Sequence, residues 1–374
     1  MEKSLYIHIP FCRSKCAYCD FYSINYDKNM AFDFVDVLSS QIEELPNNFT
    51  TIYIGGGTPT ALGRPLLARL LKSLRSKASG AVEFTIEANP ESLTKEKIKL
   101  FLREGINRIS IGFQSFENTK LKKLSRIHTS TRAALAVHLA KRGGFKNISV
   151  DLIFGVWGQS LDEYRSELSQ VVKLPIKHIS TYALTYEKHT PIFKRLKSKE
   201  IVSLADSVVA SMYEYTQRFL SKKGFSQYEV SSFARAGYVC RHNLIYWDNG
   251  NCTGLGPSAV SFSGGRRTRN VPYVEGYIDK VANGKNPVVF EEKLSGEKLA
   301  RETAALKIRT KGGIDFAWFR QRTGYDFCEL TKPELSQLID KGLLRYKRRL
   351  KRKKGVCLRK KGFLFADTVS SAFL

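Results

Sequence analysis

No stretch of about eighteen consecutive uncharged apolar residues occurs in this 374-residue chain, so nothing in it reads as a helix that spans a bilayer. A basic leader followed by a long apolar run and a small-residue cleavage site is also missing. Met1-Glu2-Lys3-Ser4 runs straight into Leu5-Tyr6-Ile7-His8-Ile9, no export signal is readable, and a cytoplasmic protein is expected. Internal repeats and low-complexity tracts are lacking, which excludes a repeat array. Acidic residues are scarce against basic ones, 35 to 61, for a formal charge of +26. Nucleic acid, acidic lipid, a basic proteome or an anionic small ligand would each account for such a surplus, and charge alone does not choose among them. The densest block, Lys347-Arg348-Arg349-Leu350-Lys351-Arg352-Lys353-Lys354, carries seven basic residues in eight. It fits either a solvated turn or a phosphate-facing patch.

What is present is ordinary globular composition, 43% hydrophobic and 26% charged, with length for roughly two domains and a core that needs no disulfides. Cysteines number seven, an odd count. Cys12, Cys16 and Cys19 fall within eight residues, whereas Cys240, Cys252, Cys328 and Cys357 are scattered. In a reducing compartment such clustering points to metal.

Short β-branched runs alternate with amphipathic stretches up to about residue 222, the pattern of repeated βα units around a parallel sheet. The expected strands are Leu5 to Ile9, Thr51 to Ile54, Val82 to Glu87, Arg108 to Ile111, Ile148 to Ile153 and His178 to Leu184. The expected helices are Phe32 to Glu44, Pro65 to Ser76, Lys95 to Arg103, Thr131 to Lys141 and Leu161 to Lys173. Six strands predict an α/β fold, a partial (β/α)6 barrel over residues 1–222, with ligands at the C-terminal strand ends. Residues 223–294 read as irregular and glycine-rich, covering the barrel mouth. Residues 295–374 predict a small winged-helix-like α+β module: Leu335 to Lys341 as helix, Gly342 as its stop, and Leu343 to Leu364 as two basic strands around Gly355.

The loop Cys12-Arg-Ser-Lys-Cys16-Ala-Tyr-Cys19 brings three thiolates to one place. A structural zinc site closes its tetrahedron with a fourth Cys or His, and none is adjacent. Three thiolates on a cubane cluster leave one iron open to an exchangeable ligand. With Tyr18 ahead of the third cysteine, the loop resembles that of the radical-SAM superfamily. The resemblance implies a 4Fe-4S cluster on Cys12, Cys16 and Cys19, and S-adenosylmethionine (SAM) chelating the open iron through its amino and carboxyl groups. An electron from the cluster would then cleave the sulfonium to give a 5′-deoxyadenosyl radical.

Gly55-Gly56-Gly57-Thr58-Pro59 follows the second strand and lets a backbone approach a ligand unhindered. It resembles the superfamily's motif for the amino group of SAM. Glu87, ending the third strand, can accept from ribose hydroxyls or an ammonium; Gln114 and Asp151 can hydrogen-bond SAM; Arg126 can clamp a carboxylate. Together with Tyr6, Tyr18, Gly56, Gly57, Thr58 and Ala183, these residues match the SAM-contacting positions of the branch that holds oxygen-independent coproporphyrinogen III oxidase (HemN) and its relative HemW. The resemblance runs from Tyr6 to Phe365-Ala-Asp-Thr-Val369.

The decarboxylating oxidases have a further cysteine two residues after the third ligand, where this chain continues Cys19-Asp20-Phe21-Tyr22. That is the HemW form. The H-N-x-x-Y-W motif linked to haem stands here as His242-Asn243-Leu244-Ile245-Tyr246-Trp247, which makes His242 the candidate axial ligand and Cys240 the next. The remaining histidines read as structural. Val260 stands where relatives have a second histidine, and Trp157 where a proline is usual. The resemblance implies a haem chaperone binding haem, one cluster and SAM, and handing haem to an acceptor protein that could be membrane-associated. The alternative is oxidative decarboxylation of coproporphyrinogen III. A nucleic-acid-modifying enzyme ranks last, and no nucleic-acid partner is expected.

Overall fold

A computed structural model describes residues 3–349 and 352–374. Six parallel strands run consecutively through one curved sheet: β1 Lys3–Ile9, β2 Thr51–Gly56, β3 Glu83–Ala88, β4 Arg108–Gln114, β5 Asn147–Phe154 and β6 His178–Ala183. They pair in chain order, Ser4 opposite Thr51, Thr51 opposite Glu83, Thr85 opposite Arg108, Arg108 opposite Asn147 and Ser149 opposite His178. All six lie where the sequence predicts strands. Alternation decides their faces. Leu5, Ile7 and Ile9 of β1, Ile52 and Ile54 of β2, and Ile109 and Ile111 of β4 join the apolar core under the helices. The intervening positions, among them Tyr53, Glu87, Ser110, Asp151 and Ser180, line an interior cavity.

The helices between the strands start at residues suited to their N-caps. Asp27 caps Lys28–Glu44 (α1), Thr94 caps Lys95–Arg103 (α3), and Thr129 caps Ser130–Gly143 (α4), each side chain accepting from a backbone N–H of the first turn. Pro65 opens Arg64–Leu74 (α2). Ser160 and Glu163 form a reciprocal capping box on Leu161–Val171 (α5).

The segment expected to be irregular is instead woven into the same sheet, which has twelve strands among the described residues. After helix α6, Asp206–Lys222, strands Ser226–Gln227 (β7) and Ser232–Ala234 (β8) extend it beyond β6. Asn251–Leu255 (β9) pairs in parallel with the free edge of β1. Val260–Ser263 (β10), Arg266–Asn270 (β11) and Val288–Lys293 (β12) follow antiparallel. Two of the glycines that suggested loops, Gly254 and Gly256, instead mark close approaches to neighbouring strands. A Cβ on Gly254 would stand 2.4 Å from the Val260 carbonyl oxygen, and one on Gly256 would stand 2.4 Å from that of His8. Helices Arg241–Trp247 (α7) and Val274–Ala282 (α8) interrupt these strands.

The C-terminal module has helices Gly296–Lys307 (α9), Phe316–Thr323 (α10) and Lys332–Asp340 (α11). Its antiparallel sheet is made of Ile314–Asp315 (β13), Leu344–Arg349 (β14) and Arg352–Leu358 (β15). Gly342, with φ +70°, follows α11 as predicted. Gly355 is not the hairpin turn. It lies within β15, where a Cβ would meet the Ile314 oxygen at 2.3 Å, and residues 360–364 are helical rather than strand. Leu350 and Lys351, from the basic block, lie outside the described residues. One apolar core runs from the barrel helices into the module through Ala304, Ile308, Phe319 and Phe327. No helix among the described residues is long and apolar enough to cross a membrane.

Candidate SAM and cluster site

The loop after β1 is pinned from both sides. Ile24 N–H donates to the Pro10 oxygen and Tyr26 N–H to that of Cys12, while Gly57 and Thr58 N–H donate to Ile9 and Phe11, all at 2.7–2.8 Å. The cysteine loop and the glycine triplet are thereby one rigid unit. A Cβ on Gly57 would fall 2.9 Å from the Phe11 oxygen and 3.1 Å from Cys12 Sγ, so only glycine fits that approach. Gly56, at φ +107°, would drive a Cβ into the His8 ring.

Cys12, Cys16, Tyr18, Cys19, Gly56, Gly57, Thr58, Glu87, Gln114, Arg126, Asp151 and Ala183 all line a single cavity of about 580 Å3. Twelve of the fourteen residues singled out in the sequence are thus brought together; Tyr6 and His242 are not. Cys12 Sγ lies 3.5 Å from Thr58 Oγ1, and Arg126 Nη1 donates to Cys16 Sγ at 3.3 Å. Burial raises the Cys12 thiol pKa and pushes Cys19 up to about 11, so iron must displace protons to bind them. Three thiols on one wall beside a glycine cradle are a donor set of the chemistry that would hold an iron-sulfur cluster.

Arg126, expected to clamp a carboxylate, is otherwise engaged. Its Nη2 donates to Asn89 Oδ1 at 2.6 Å and to the Gly112 oxygen at 3.2 Å, and Asn89 Nδ2 in turn donates to Thr58 at 2.8 Å. This network holds the cysteine loop against the ends of β2, β3 and β4. Asn89 was legible only as the residue after a strand end in Ala88-Asn89-Pro90.

Glu87 accepts from the Tyr53 hydroxyl at 2.7 Å. Burial, reinforced by the nearby Asp151, pushes its carboxyl up to about 7 despite that hydrogen bond. Asp151 accepts from Ser110 Oγ at 3.1 Å, and burial raises it too. Gln114 has φ +65° where the β4–β5 register slips between Ile111 and Gln114. The irregularity turns its side chain into the cavity, a strain of the kind kept at ligand sites. Tyr6 stands apart from the wall, its hydroxyl 3.2 Å from His8 Nδ1 and its ring against Tyr53. Tyr53, Arg108, Ser180 and Tyr182 line the cavity too. Inward alternation along their strands was the signal that could have found them.

The helix of the H-N-x-x-Y-W motif, α7, closes the N-terminal end of the barrel. Glu83, first residue of β3, accepts from Arg241 N–H at 2.9 Å and His242 N–H at 3.0 Å. His242 is 1% exposed. Its Nδ1 is 2.9 Å from Thr51 Oγ1, and its Nε2 is 2.9 Å from the Tyr246 hydroxyl. Burial, aided by the charge of Arg108, pushes it down to about 3. In this arrangement neither ring nitrogen is free for iron. The expectation of an available axial imidazole is corrected accordingly: the motif is a barrel plug, and only Asn243 of it reaches the cavity wall. Cys240 is buried as well, its Sγ 3.4 Å from Glu83 Oε1. Of the other histidines expected to be structural, three are tied into the fold: His8 Nε2 is 2.9 Å from the Tyr22 oxygen, His178 sits between Ser149 and Tyr228, and His128 Nε2 is 3.1 Å from the Phe113 oxygen, whereas His138 and His189 are exposed. Trp157 is flanked by Lys123 and Arg195 over its ring.

A family profile described as the Radical SAM superfamily matches residues 6–170, and one described as the HemN C-terminal domain matches residues 294–365. The heme chaperone HemW of Lactococcus lactis is 34% identical over 99% of this chain and 97% of that protein, and that of Bacillus subtilis 33% over 100% and 99%. The heme chaperone HemW of Escherichia coli is 38% identical over 74% of this chain and 75% of its own. The solved structure of coproporphyrinogen III oxidase (HemN) from Escherichia coli superimposes with a TM-score of 0.84 at 22% identity, covering 100% of this chain and 90% of that one. That likeness fixes the fold. The superfamily implies a 4Fe-4S cluster and SAM, for which the cavity has the donors. Identity sustained along the whole length then decides the branch: the chain belongs to the HemW family of the radical SAM superfamily.

Proposed function

We propose that this chain is a cytoplasmic haem chaperone on a radical-SAM scaffold, binding haem, one 4Fe-4S cluster and SAM and passing haem to an acceptor protein. The full-length identity to proteins named heme chaperone HemW carries this reading. Residues 1–222 would hold cluster and SAM, residues 223–294 complete and plug the barrel, and residues 295–374 form the added module. A cluster on Cys12, Cys16 and Cys19 would supply the electron for reductive cleavage of SAM. The chain's own residues do the positioning. The glycine triplet admits the amino-acid end of SAM beside the cysteines. Glu87, Gln114 and Asp151 offer acceptors and an amide to the rest, and Arg126 and Asn89 fix the loop that all of them face.

The alternative, oxidative decarboxylation of coproporphyrinogen III, draws on the likeness in fold to HemN. Against it stands Phe21, 69% exposed at the cavity wall in the place of the oxidases' additional cysteine. Anaerobically reconstituted protein given SAM, reductant and either haem or coproporphyrinogen III should develop a Soret band with haem and leave coproporphyrinogen unchanged. Formation of protoporphyrinogen with consumption of SAM would establish the enzyme instead.

A further inference from the structure

The cavity floor holds a charge to which no SAM or cluster role has been assigned. Arg108, first residue of β4, is 2% exposed and lines the cavity near Asn243 of the plug helix, with Tyr53, Ser110 and Ser180 on the same wall. Its Nε and Nη1 are buried and meet no hydrogen-bond partner. A guanidinium withdrawn from water needs acceptors for its fork of N–H groups. Three carboxylates lie within reach of its charge, and each is turned elsewhere. Glu83 accepts from Cys240, Arg241 N–H and His242 N–H; Glu87 accepts from Tyr53; Asp151 accepts from Ser110.

We propose that Arg108 anchors a second binding point in the barrel, on the floor beside Asn243, which takes the carboxylate of a small ligand other than SAM. The positions assigned to SAM and the cluster stand mostly toward the C-terminal strand ends, around the cysteine loop. Arg108 begins its strand and faces the helix that closes the opposite end. The planar fork of a guanidinium matches the two oxygens of a carboxylate. A doubly charged phosphate suits the floor less well, because Glu87 and Asp151 line the same cavity and would repel it. Tyr53, Ser110, Ser180 and Asn243 add hydroxyl and amide donors around the same space.

Propionate is the probe. Cluster-loaded protein is unfolded thermally in rising sodium propionate and, at matched ionic strength, in sodium chloride, with and without saturating SAM. The expected result is a rise in the unfolding midpoint specific to propionate that survives SAM saturation. In Arg108→Gln the apparent propionate affinity should fall about tenfold or more, as for loss of a charge-assisted pair, while SAM affinity stays within about threefold. Arg108→Lys, which keeps the buried charge and loses the fork, should fold even if Arg108→Gln does not, and should weaken propionate several-fold. A wild type indifferent to propionate overturns the proposal, and so does an effect that either variant leaves unchanged. Abolition by SAM overturns it as well, because the carboxylate would then occupy SAM's own site. The inference does not rest on haem as cargo, and none of these outcomes bears on the haem assay.

Discussion

At the scale of single residues, the site divides into groups that would touch iron, groups that would touch SAM and groups that hold the others still. Cys12, Cys16 and Cys19 share one wall with the glycine cradle; Cys240 and Cys252 are buried near the barrel floor, and Cys328 and Cys357 lie in the C-terminal module. Replacing any one of the first three by Ala should abolish a cluster of about four irons per chain, while replacing any of the other four should leave the iron content unchanged. Iron and sulfide analysis of reconstituted variants reads this directly, and stoichiometric zinc without iron-sulfur absorption would contradict it. Asp151 and Gln114 line the cavity and are proposed to meet SAM. Asp151→Ala and Gln114→Ala should therefore leave the cluster spectrum intact and weaken SAM about tenfold, the cost of roughly one hydrogen bond. Isothermal titration that finds wild-type affinity in both variants would show that SAM lies elsewhere.

Among the elements, α7 is the one whose role changed most between sequence and structure. Its histidine, read as a candidate haem ligand, ties the plug to Thr51 of β2 and hydrogen-bonds Tyr246 within the same helix. With a folded pKa near 3 against an ordinary value of about 6.5, His242 stays neutral in the fold and takes its proton first in the unfolded chain. Its contribution to stability is complete above about pH 6.5. It is lost as pH falls toward 3, by up to about 5 kcal/mol at the bottom of that window. His242→Gln, which can keep hydrogen bonds without titrating, should flatten the decline in stability between pH 6.5 and 4, measured by denaturant unfolding at each pH. It should also keep the haem Soret band. Disappearance of that band in a folded His242→Gln protein would restore the axial-ligand reading and imply that α7 rearranges to receive haem.

For the whole molecule, the decisive seam runs between the barrel plug and the C-terminal module. Asn249, just past α7 at φ +49°, donates from Nδ2 to Glu302 at 3.1 Å and Thr303 at 3.2 Å of α9, and Arg322 of α10 donates to the Asn249 oxygen at 2.6 Å. Lys307 pairs with Asp248 across the same seam, and Lys311 N–H donates to the Tyr228 oxygen at 2.8 Å. Asn249→Ala should cost about 2 kcal/mol, roughly half from the left-handed backbone and half from the lost hydrogen bonds. Asn249→Gly should recover the backbone share. Equal destabilisation of the two variants in urea would mean that the backbone conformation contributes little.

The sequence by itself determined the local matters. Short β-branched runs between amphipathic stretches located all six parallel strands. Capping residues such as Thr94, Thr129 and Ser160 set helix starts to within a residue or two. The spacing of the cysteines and the glycine triplet marked one end of the cavity, because three close thiols and an unhindered backbone are properties of a single loop. Only the tertiary structure decided what depends on partners distant in the chain. Gly254 and Gly256 look like breakers until β10 and β1 lie against them. Arg126 reads as a carboxylate clamp until Asn89, Gly112 and Cys16 surround it. His242 reads as a ligand until Thr51, 191 residues away in sequence, takes its nitrogen. Whether a polar side chain is free for a ligand or occupied within the fold is set by what long-range packing brings within 3 Å of it, and no local pattern in the sequence carries that information.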